Sequence, residues 1–180
     1  MKKSILGLAV SALFVMGAAQ ASTNPDDVSA TLTVSGTVTP SLSPCTVNLG
    51  QSSINLHADI STLVTQGTTT TPMNTVDLTV TGDEQCADLV SQGKIAYKFL
   101  GTADSAMGSV LANTATGEGA ASGIGIALYD NAGQNLLINK DTMTATPGVS
   151  HLGLGMVKLA SQTATAGSVQ GSLTIQIERL

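Results

Sequence analysis

The sequence predicts an all-β fold of sandwich type. Three observations carry this. Apolar and polar residues alternate at every second position in many short runs, turn-forming residues separate those runs, and helical periodicity is weak throughout. The clearest alternations stand at the two ends: Ala30-Thr31-Leu32-Thr33-Val34-Ser35-Gly36-Thr37-Val38 and Gly171-Ser172-Leu173-Thr174-Ile175-Gln176-Ile177. Each places apolar side chains on one face and small polar ones on the other, the pattern of a half-buried strand.

Read in order, the alternation predicts strands over residues 30–39, 45–49, 53–57, 74–81, 94–101, 107–111, 122–130, 135–139, 149–159 and 168–178. The threonine run at residues 68–71, closed by Pro72, reads as a loop, as does the Gly/Ala-rich stretch 117–123. Asp130-Asn131-Ala132-Gly133 suits a tight hairpin with Gly133 at positive φ. Residues 83–92 allow one short helical turn around Cys86. No fixed-period repeat and no compositional break divides the chain.

The first residues read as an export leader. Met1-Lys2-Lys3 precedes an apolar run from Ile5 to Met16, and small residues follow to Ala19-Gln20-Ala21. A basic start, a short apolar stretch and an A-x-A site make a cleavable signal peptide over residues 1–21. The run is short for a membrane span, so no membrane insertion of the mature chain is expected. Loss of Lys2 and Lys3 with the leader takes the net charge from −5 to −7. An acidic surface argues against nucleic acid, whose affinity rests on neutralising phosphates. It argues equally against anionic lipid.

Export also decides the reading of the cysteines. Cys45 and Cys86 are the only two, and in an oxidising compartment the default is a disulfide. In the chain-entropy model it would contribute about 4 kcal/mol.

Residues for catalysis are thin, and the expectation is no enzyme and no cofactor. His57 lies in an alternating run opposite in phase to Leu56 and reads as a solvent-side strand residue. His151 opens a Gly/Leu-rich strand and reads the same way. No G-x-S-x-G elbow marks a nucleophile among the serines. Gly123-Ile124-Gly125 lacks the third glycine of a dinucleotide fingerprint, and close backbone approach explains it better. The scattered acids Asp26-Asp27, Asp83-Glu84, Asp130 and Asp141 form no calcium loop and no metal set. Aromatics make up 2% of the chain, which leaves little for sugar or base stacking.

Order and spacing then supply a resemblance. Val34-Ser35-Gly36-Thr37-Val38 is followed by Cys45-Thr46-Val47-Asn48-Leu49-Gly50. Then come Cys86, the central Gly123-Ile124-Gly125-Ile126-Ala127-Leu128-Tyr129-Asp130, and Ala164-Thr165-Ala166-Gly167-Ser168-Val169 before the last strand. Together these resemble the chaperone–usher pilins, and more narrowly the type 1-like fimbrial subunits. The chain departs from that family in lacking a penultimate aromatic and in a longer interval, with Pro40 and Pro44, between Gly36 and Cys45.

The resemblance implies an immunoglobulin-like β-sandwich lacking one strand, completed by a donor strand from a neighbouring subunit. It implies three segments: the leader at 1–21, a donor-strand extension at 22–38 and a pilin domain at 39–180. The donor residues would be Ala30, Leu32, Val34, Gly36 and Val38. Leu173, Ile175 and Ile177 would form the strand that pairs with the chaperone and later with the donor. The implied partners are a periplasmic chaperone, an outer-membrane usher, and copies of itself or sister pilins in a filament on the cell surface. The implied role is a structural fimbrial subunit contributing to adhesion. The alternatives are a secreted, self-complemented β-sandwich binding module and a lateral adhesin.

Overall fold

The strands form because β-branched and aromatic residues alternate with Thr, Ser and Gly, which fit a pleated surface buried on one side. In the computed structural model, which describes Ser35 and residues 44–180, they build two sheets. The larger contains β1 (Thr46–Leu49), β2 (Asn74–Thr81), β8 (Val149–Lys158), β5 (Ile124–Tyr129) and β4 (Leu111–Ala112) in that order, with β6 (Asn135–Leu136) also on β5. The smaller runs β7 (Thr142–Thr144), β3 (Ile95–Gly101), β9 (Leu173–Arg179). Every named strand pairing is antiparallel. Ser41–Leu180 forms one compact unit.

The core lies between the sheets. Leu78, Ile95, Tyr97, Phe99, Leu128, Ile138 and Leu152 are fully buried there. A second apolar cluster, Val110, Ala127, Tyr129, Val157 and Leu159, is separate. Tyr129 lies beside Gly153 and Gly155 of β8; a Cβ on Gly153 would collide with Pro72, and one on Gly155 would rest against the Tyr129 ring at 3.4 Å. Tyr97, Phe99 and Tyr129 are all core residues. Burial pushes the phenols of Tyr97 and Tyr129 up from their ordinary values.

A helix, α1 (Glu84–Ser91), follows β2. It is longer than the single turn expected from sequence, because both of its ends are well terminated. The Asp83 carboxylate accepts the Cys86 N–H at 3.0 Å as N-cap, and Gly93 at φ 68 closes the far end. There Gly93 N–H donates to Val90 and Lys94 N–H to Leu89, so the last carbonyls are satisfied. Cys86 and Val90, four residues apart, form its buried face. Cys86 is joined to Cys45 with Cα atoms 5.6 Å apart, linking the helix to the start of β1.

Several expectations are corrected. Residues 53–57 are not a strand. After Gly50 donates to Asp77 the chain leaves β2, and the alternating Ile54 and Leu56 still face the core without a ladder partner. Within 107–111 only Leu111 pairs as strand, because Asp104 curls the preceding residues into a loop. The strand expected over 135–139 stops at Leu136. Asn139 turns to φ 63, and its side-chain amide exchanges two 3.0 Å hydrogen bonds with the Gly101 backbone, in the manner of a strand residue. The strand expected from 168 begins at Leu173. β7 was not expected, since Met143 is its one apolar residue. The strand expected over residues 30–39 lies outside the described residues, Ser35 apart, which is exposed and in no regular structure.

Candidate strand-binding groove

The departure of residues 51–58 from β2 has a consequence on the opposite side. Together with residues 167–175 they wall a groove of about 760 Å³. Its floor is made by Val76, Leu111, Ile126, Leu152, Leu154 and Met156, all inward-facing or core-packed side chains. A smaller hollow of about 70 Å³ adjoins it, lined by Ile60, Leu63, Ala121, Ile124, Met156 and Val169 among others. Apolar surface gathered in one concave strip is costly to leave in water.

β9 forms one wall and is the edge of its sheet. Its bonding phase follows from Leu180, whose N–H reaches back to the Lys94 carbonyl at 3.0 Å. Thr174, Gln176 and Glu178 share that phase and spend their main-chain groups on β3. Leu173, Ile175 and Ile177 therefore turn their backbone N–H and C=O groups to the open side. Their side chains, half-buried, pack against the core. These are the residues the sequence singled out at the C-terminal edge. Among the described residues no strand lies alongside them.

The groove is nearly without charge. Among its lining residues His57, exposed on the wall, is the one titratable side chain. Its depth varies. A side chain on Gly171 would meet Ile126 Cδ1 at 3.1 Å, so the floor rises under that glycine. Such a trough recognises by shape, by aliphatic contact and by main-chain hydrogen bonds. It fits an extended segment with alternating apolar side chains.

The remaining sequence candidates are dispersed. His151 is exposed on β8, with Nδ1 at 2.7 Å from Asp77 Oδ1 across the β2–β8 ladder. Asp130 folds its own hairpin, accepting N–H groups from Ala132 and Gln134. Asp141 accepts from Leu137 N–H. Among the described residues no three His, Cys, Asp or Glu side chains are grouped to hold a metal. The donor candidates Ala30, Leu32, Val34, Gly36 and Val38 lie outside the described residues. Sequence reasoning missed residues 51–58 and 167–172 as groove walls. Their signal was present as the alternation of Ile54 with Leu56 and as Gly171, but it was read as strand.

The fold and this open edge define a pilin-type β-sandwich. The family model described as Fimbrial protein matches residues 32–178, and the chain belongs to that family. Among solved structures it is similar to the P pilus rod subunit PapA, with a TM-score of 0.55 and 16% identity over 84% of this chain and all of that one. That similarity shows a common immunoglobulin-like fold. A Burkholderia pseudomallei antigen and type I fimbria protein matches at a TM-score of 0.32 and 13% identity, over 76% of this chain and 94% of that one. No curated protein sequence matches the chain. The protein is a fimbrial subunit.

Proposed function

We propose that this subunit polymerises by donor-strand exchange. Residues 22–38 of one copy, led by Ala30, Leu32, Val34, Gly36 and Val38, enter the groove of the next copy and pair with Leu173, Ile175 and Ile177. The observation that carries this is the groove itself, an uncharged apolar trough with an unpaired strand edge along one wall. Before assembly a periplasmic chaperone covers the same edge, and an outer-membrane usher passes the subunit to the surface. The leader at 1–21 directs export, and residues 39–180 act as the accepting domain. The role is structural, without catalysis, and the fibre contributes to adhesion. Head-to-tail exchange joins two different surfaces, the extension of one copy and the groove of the next; this heterologous contact does not close, so it extends a filament.

The test is thermal melting of a disulfide-intact chain starting at Ser41, with and without a peptide of residues 26–40. The expected result is a large rise in Tm with peptide, lost when the peptide carries Leu32→Asp and Val34→Asp. A stable truncated domain indifferent to peptide would mean that the sandwich is complete without residues 22–38, and a monomeric secreted binding module would be the better account.

A further inference from the structure

The inner edge of β8 has two partners with a gap between them. β2 covers it as far as Leu154, whose carbonyl accepts the Met73 N–H at 2.9 Å. Residues 64–66 take over at Lys158, through Lys158 N–H to Val64 and Gln66 N–H to Lys158. The Met156 N–H falls between the two. Its acceptor is the Met73 thioether, with Sδ at 3.3 Å. Met73 is 42% exposed, so water reaches the residue that completes the ladder. The side chain held by this amide, Met156, forms part of the groove floor and of the adjoining hollow.

We propose that Met73 is an oxidation site through which hypochlorous acid or a similar two-electron oxidant lowers the groove's capacity to take a strand; this rests on the donor-strand reading above. In the step, Met73 Sδ gives up two electrons and gains the oxygen of HOCl. Chloride and a proton leave, and methionine sulfoxide remains. Oxygen adds to one of the two sulfur lone pairs: on the amide side it would crowd the Met156 nitrogen, which now lies 3.3 Å from sulfur, and on the other side it leaves a pyramidal, polar sulfur whose remaining lone pair is a poorer acceptor. In the first case either the thioether withdraws from the ladder or β8 moves at Met156. Met143 and Met156 are shielded, at 5% and 9% exposure, whereas Met107 is 58% exposed on a loop and touches neither ladder nor groove. Met107 is therefore the internal control.

The experiment compares self-assembly of the full chain, Met73→Leu and Met107→Leu, before and after limited hypochlorous acid, with mass spectrometry locating the added oxygen. Wild type and Met107→Leu should slow by about fivefold, the worth of one modest hydrogen bond, while Met73→Leu keeps its unoxidised rate. Equal slowing of Met73→Leu, or an unchanged wild type carrying sulfoxide at residue 73, overturns the proposal. Amide exchange at Met156 is read on the same samples. It should rise on oxidation in wild type and stay constant in Met73→Leu, and an unchanged wild-type value overturns the sulfur link. Failure of the unoxidised wild type to assemble would count against donor-strand exchange, and the exchange measurement would still decide the sulfur link.

Discussion

Asp104 shows how much a single side chain organises. It is 6% exposed in the loop between β3 and β4. One carboxylate oxygen accepts Ala106 and Met107 N–H groups, and the other accepts Ser109, Val110 and the Gln66 amide. Burial alone would raise its pKa. The N–H groups of Val110, Met107 and Ser109, with Gln66, outweigh that and hold the carboxyl at about 2. A folded pKa below the unfolded value means stabilisation that is complete above about pH 4 and is lost as pH falls through about 2. The shift corresponds to about 2 kcal/mol. Asp104→Asn should therefore cost about that much at pH 7 in urea unfolding, with the gap to wild type narrowing toward pH 2. A gap constant with pH would show that the charge is not the stabilising element. None of this was legible in the sequence, because four of the five donors are backbone groups and Gln66 is 38 residues away. The glycine pair was legible in outline. A Cβ on Gly123, at φ +60, would lie 2.5 Å from the Thr163 carbonyl, and one on Gly125 would lie 2.7 Å from Val110 Cγ2.

At the scale of elements, that glycine locks the entry of β5 to residues 163–165. Leu159 N–H also donates to the Gly123 carbonyl. Gly123→Ala combines a left-handed backbone with a backbone collision and should destabilise by at least about 1–3 kcal/mol. Gly133→Ala, at φ +75 in open space, supplies the comparison in thermal unfolding: it should cost about 1 kcal/mol, from backbone strain alone. Equal losses would mean that the collision relaxes. Among the described residues, the alternating stretches around β2, β3, β5, β8 and β9 are strands, because a buried face imposes period two wherever a ladder exists. The same period misled at residues 53–57. There Ile54 and Leu56 face the core across a missing neighbour, and a one-sided apolar pattern does not reveal whether a hydrogen-bonding partner is present. β7 escaped for the opposite reason, since its threonines carry no apolar alternation around Met143. Asn139 escaped because its side chain, not its backbone, supplies the bridge to Gly101.

For the molecule as a whole, the family, the class of fold and the strand-accepting gap beside β9 were legible from the resemblance, and the residues that wall the groove were not. Its walls are distant in sequence and meet only through the sheet order, which places β1 and β9 at the edges of separate sheets. Cys45 and Cys86 were legible as a pair because two cysteines in an exported chain leave one pairing. Cys45→Ser with Cys86→Ser should lower the stability of Ser41–Leu180 by about 4 kcal/mol, read from urea unfolding, where the chain-entropy model applies. A loss below about 1 kcal/mol would mean that the unfolded chain is already restrained.

That same bond bears on mechanical load. In a fibre assembled by strand exchange, a pull on one subunit enters its chain ahead of Cys45. The bond carries tension directly to Cys86, a separation of 41 residues, and so bypasses β1, the groove wall at residues 51–58 and β2. At about 3.4 Å per residue, roughly 140 Å of chain in each subunit is withheld from stretching. A tugged fibre then keeps the shape of the trough that grips its neighbour until the sandwich beyond Cys86 gives way.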